Sequence, residues 1–165
     1  MTRHSNPRRR WLAGAAAALL GAGGHAAPRE VHGAHDAWAE PGIALAWGVL
    51  RGRDEAGTRV IVRIDVDPRR WARLEATGRD PFGGASVDLP MLQGDGGRYT
   101  VDVPRGRFAD HPRTELRLWA PGGAEPGLLV YFAGVPDTTP EFNERARLEA
   151  DLARRLEQAR ARAAR

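Results

Sequence analysis

RVIVRIDVD, residues 59–67, is the stretch whose reading decides the fold. Val60, Val62, Ile64 and Val66 fall on one side of an extended chain. Arg59, Arg63, Asp65 and Asp67 fall on the other, where Ile61 is the only apolar residue. Strict alternation of β-branched and charged residues is the pattern of a strand with one face in a core and one in water. Residues 59–67 are therefore expected to form the inner strand against which the rest of the chain is built.

Toward the N-terminus, residues 43–49 alternate in the same way. Ile43, Leu45, Trp47 and Val49 share one face, and Ala44, Ala46 and Gly48 share the other. A face of such small residues implies close packing of another element, or a bulge near Gly48. Residues 51–57 are polar and end in glycine, which reads as a loop joining two antiparallel strands.

Toward the C-terminus, Pro68 breaks the pattern. Residues 69–77 then admit two readings: a helix with Trp71 and Leu74 on one side, or a strand with Ala72, Leu74 and Ala76 inward. A turn followed by a strand ending near Gly78 is preferred, because the flanking segments are strands. Val87, Leu89 and Met91 alternate around Pro90, which marks an edge or irregular strand. Gly94-Asp95-Gly96-Gly97 is a turn, and Tyr99, Val101 and Val103 form the next apolar face. Residues 114–120 place Leu116 and Leu118 inward and Trp119 opposite, and residues 128–135 are a mostly apolar run. The expected fold is mainly β, an immunoglobulin-like antiparallel β-sandwich of about seven strands with a C-terminal α-helix. A small β-barrel is the alternative.

The tail changes period. Thr138-Thr139-Pro140-Glu141 has the form of a helix start. Leu148, Leu152 and Leu156 recur at four-residue spacing, a narrow stripe that needs an apolar surface to dock on. Trp119 is expected to lie beneath it. Glu141–Arg145 and Asp151–Arg155 are i,i+4 pairs with the acid first, and the helix is expected to run to about Arg160.

Residues 1–26 read as an export signal, with Arg8, Arg9 and Arg10 before a weakly apolar run and small residues after it. The core Arg8-Arg9-Arg10-Trp11-Leu12 resembles a twin-arginine signal, with Trp11 where Phe is more usual. An ordinary secretory signal is the alternative. The expected organisation is a signal peptide over residues 1–26, a flexible polar leader over 27–41, a sandwich over 42–136 and a helix over 137–165. The expected location is the bacterial periplasm, with no membrane anchor once the signal is removed.

Composition narrows the chemistry. The 165 residues include no cysteine and no lysine. Thiol catalysis, thiolate metal centres and disulfides are therefore excluded, as are a Schiff base and a phosphate-loop lysine. The net charge of +4 comes from the signal, because removing Arg3, Arg8, Arg9 and Arg10 from the 25 arginines leaves 21 against 21 acids. That balance gives no support for a nucleic-acid surface. Ser86 has no nucleophile elbow around it.

Two functions lead as expectations, ahead of a third, a hydrolase or ligand-binding sandwich with a pocket near Ser86 and His111. The first is an exported non-catalytic accessory module that binds a protein partner in the periplasm. Its contact surfaces would be the C-terminal helix and the arginine-bearing face of Arg59 and Arg63. The second is a copper- or zinc-binding protein. His32, His35 and Asp36 lie within five residues, and His111 completes the set if the leader folds back beside it.

Overall fold

The computed structural model describes residues 26–32, 37–54, 56–79, 87–106, 113–133 and 139–165. Two sheets pack face to face. Sheet I has the order β1-β10-β9-β5-β6, from Arg29–His32, Leu128–Ala133, Arg113–Trp119, Arg73–Arg79 and Val87–Asp88. Sheet II has the order β11-β3-β4-β8-β7, from Glu141–Phe142, Ile43–Leu50, Arg59–Val66, Arg98–Pro104 and Met91–Gln93. A further short strand, β2 (Ala37–Glu40), pairs with β3 beside β11. The C-terminal helix, α1 (Arg145–Ala163), lies on the outer face of sheet II. The architecture is a β-sandwich with a C-terminal helix, and two separate sheets replace the barrel alternative. No helix among the described residues is long and apolar enough to cross a membrane.

β4 behaves as its alternation requires. Val60, Val62, Ile64 and Val66 enter the inter-sheet core with Leu45, Trp47, Val101, Val103, Leu116, Leu118 and Val130. Ile61 belongs to a second apolar layer with Ala44, Ala46, Leu148, Leu152 and Leu156. The small face of β3 is thus the floor on which α1 rests. A Cβ added at Gly48 would stand 2.6 Å from Leu148 Cδ1, so glycine here sets how closely the helix approaches the sheet. β3 is buried on both faces because it lies between these two layers.

The stretch after Pro68 is a turn followed by β5, with Leu74 and Ala76 in the core. The strand starts one residue later than the inward reading of Ala72 requires and continues past Gly78 to Arg79. The single strand expected around Pro90 is two. β6 pairs with β5 in sheet I, β7 pairs with β8 in sheet II, and Leu89-Pro90 carries the chain between the sheets. Proline has no N–H to give a ladder, so the crossing falls where the pairing is already broken.

Three expectations are corrected. First, the leader is not irregular throughout. β1 pairs in parallel with β10, and β2 pairs antiparallel with β3. Val31 and Trp38 pack against the core, while Ala37 and Ala39 pack beneath α1.

Second, the helix begins at Arg145 and extends to Ala163. Before it, the chain is extended: Pro140 accepts a hydrogen bond from Val49 N, and Phe142 accepts one from Arg51 N. The open edge of β3 thus competes successfully with a local helix start. Glu141 pairs with Arg51 and Arg105, and not with Arg145. The Asp151–Arg155 pair is present, at 2.6 Å.

Third, Trp119 is buried, but not beneath the helix. It faces out from sheet I, whereas α1 packs on sheet II. The Arg73 guanidinium covers it, 3.8 Å from the ring centroid, and supplies the cover expected of the helix.

Candidate functional site

The two outer faces of the sandwich differ. On sheet II the leucine stripe of α1 is fully buried, and the arginines expected to be exposed are tied down. Arg59 donates to Asp102, and Arg63 donates to both carboxylate oxygens of Asp65, at 3.1 and 3.2 Å. The same acids reach the helix. Asp102 accepts from Arg145 at 2.6 Å, and Asp65 accepts from Arg160 at 2.9 Å. Both surfaces expected to contact a partner are therefore largely spent on each other.

Burial alone pushes the Asp65 carboxyl upward. The hydrogen bonds and charges of Arg63 and Arg160 outweigh it, and Asp65 lies below the usual carboxylate range. Asp102 is lowered against its own burial by Arg59 and Arg145.

Sheet I presents the other face. Strand alternation turns Glu30 and His32 of β1, Leu129 and Tyr131 of β10, Glu115, Arg117 and Trp119 of β9, and Arg73, Glu75 and Thr77 of β5 outward. The register lines them up in rows. His32 stands opposite Tyr131, Tyr131 opposite Glu115 and Glu115 opposite Thr77. In the next row Glu30 stands opposite Leu129, Leu129 opposite Arg117 and Arg117 opposite Glu75.

The rows interlock. The His32 and Tyr131 rings stack at 4.6 Å with 10° between their planes, and His32 Nε2 lies 2.8 Å from Glu30 Oε2. Glu115 is only 1% exposed and accepts a hydrogen bond from Arg117 Nε. That bond, with the charges of Glu115 and Glu75, raises the Arg117 pKa against the effect of its burial. Arg117 remains a cation at any ordinary pH and anchors the buried carboxylate. Glu30, His32, Arg73 and Glu75 are exposed around this centre. Such a surface presents an aromatic stack beside charged side chains of both signs.

Of the three histidines proposed as metal ligands, only His32 is among the described residues. His35, His111, Asp36 and Ser86 lie outside them. Among the described residues, no group of three histidine, aspartate or glutamate side chains is placed to hold a metal ion.

The Glu115–Tyr131–His32 row escaped sequence reasoning because it depends on register between strands distant in the chain. A partial signal was available. Glu30/His32, Arg63/Asp65, Arg73/Glu75 and Glu115/Arg117 are all i,i+2 pairs of opposite or complementary character. On a strand that spacing puts both members on one face.

An open cleft of about 570 Å³ lies at one end of sheet II, between the start of β3, the end of β4 and the last turn of α1. Glu40, Asp65, Asp67, Asp95, Arg98 and Arg160 supply its charged lining. Arg160 and Arg98 both turn to Asp65, at 2.9 and 3.8 Å, so the centre of the cleft is a clasp between helix and sheet. No protein-family model matches the chain, and no curated protein or solved structure gives a significant match.

Proposed function

We propose that this chain is an exported, non-catalytic module that works by binding a protein partner. The observation that carries the reading is the asymmetry of the sandwich. The outer face of sheet II is closed by its own helix, while the outer face of sheet I bears exposed Glu30, His32, Arg73 and Glu75 around the Glu115–Arg117 pair. The docking surface therefore moves from the helix to sheet I. Arg117 is already paired with the buried Glu115 at the centre of that surface, so this pair loses little side-chain entropy on docking.

Site-specific photo-crosslinking in the periplasm of an expressing bacterium tests this. A crosslinker at position 75 is expected to give a discrete protein adduct that Arg73→Glu abolishes, and one at position 154 on the helix is expected to give none. Adducts from position 154 alone, or from neither position, would overturn it.

A second reading, a copper- or zinc-binding protein, rests on one feature of the topology. β1 ends at His32 and β9 begins at Arg113, at the same end of sheet I with only β10 between them. Two strand spacings separate them, about 10 Å. His35 follows the first strand end by three residues, and His111 precedes the second by two. Calorimetric titration of the processed protein with Cu(II) and Zn(II) decides it. Binding that survives unchanged in a protein with His32, His35 and His111 all replaced by alanine would remove this reading.

A further inference from the structure

We draw no further inference here: the strongest candidate, the cleft between the start of β3, the end of β4 and the last turn of α1, is a cluster of acids whose central carboxylate Asp65 is already held by arginines, and none of the described residues lining it presents a buried polar atom left without a partner.

Discussion

Arg155 Nη2 donates a hydrogen bond to the carbonyl oxygen of Trp47 across 2.7 Å, from the underside of α1 into the middle of β3. Among the described residues, β2 pairs with β3 from Ile43 to Ala46, and β11 pairs with it at Val49 and Leu50. Trp47 and Gly48 lie between these two stretches of pairing. Arg155, itself buried and held by Asp151 at 2.6 Å, brings a charged donor to this carbonyl.

Replacing Arg155 with methionine keeps much of the volume and removes the donor. A charge-assisted hydrogen bond to a buried group is worth about 1.5–3 kcal/mol. Urea unfolding of R155M is expected to show a loss in that range. A midpoint equal to that of the unaltered protein would mean that the carbonyl is served equally well without the guanidinium.

Gly48 and Leu148 set the depth at which the helix seats. Gly48→Ala puts a methyl group 2.6 Å from Leu148 Cδ1, with Arg155 Nη2 at 3.3 Å and the Pro140 carbonyl oxygen at 3.5 Å. Overpacking of this kind costs about 1–3 kcal/mol. Leu148→Ala alone is expected to cost about 2–5 kcal/mol as a cavity. The double variant should be more stable than the two losses added together, because the new methyl occupies part of the space vacated. Strict additivity in the double-mutant cycle would contradict the contact.

Leu152 is central to the stripe that joins α1 to Ile61, Ala44 and Ala46. Truncating it to alanine is expected to cost about 2–5 kcal/mol. Isolated ion pairs along the helix contribute only about 0.3–0.5 kcal/mol each. An Arg154→Ala variant, which loses an exposed pair with Asp151, therefore serves as the control and should change the unfolding midpoint little. Comparable losses in the two variants would show that charge, and not apolar burial, holds the helix down.

Acid is expected to loosen the helix at both ends together. Asp65 ties Arg160 near the C-terminus of α1 to β4, and Asp102 ties Arg145 at its N-terminus to β8. Both carboxyls lie below their ordinary value of 3.8 in the folded protein. A depressed folded pKa adds stability above the unfolded pKa and loses it as the pH falls through the folded value. The melting temperature should therefore be insensitive to these two groups from pH 7 to about 5 and fall below about pH 4. Asp65→Asn with Asp102→Asn should lower the melting temperature at pH 7 and flatten the acid limb. An acid limb of unchanged steepness in that double variant would assign the loss to other carboxyls.

The core was legible from local pattern because a period of two is a property of neighbouring residues. The alternation of residues 59–67 placed Val60, Val62, Ile64 and Val66 inside, and the small face of Ala44, Ala46 and Gly48 left two readings, a packed element or a bulge, of which the structure has the first. The identity of that element was not legible. Matching the stripe of Leu148, Leu152 and Leu156 to β3, and not to Trp119, needs the positions of two sheets relative to each other. The candidate surface was legible only in fragments. His32 stood out as a metal-binding type of residue, yet its stacking partner Tyr131 lies 99 positions away in the chain and is brought beside it by the β1–β10 register.

By itself, then, the chain determined the longer strands, the alternating core positions along them and the chemistries closed by the lack of cysteine and lysine, since those follow from residue type and short-range period. The short strands β1, β2 and β11, the late start of the helix and the choice of ion-pair partners were decided by the tertiary structure. Each depends on an edge or a charge presented by a distant segment. Glu141 shows the reason most plainly: the chain offers it Arg145 four residues away, but strand pairing with β3 removes the helical geometry that would join them and sets Arg51 beside it.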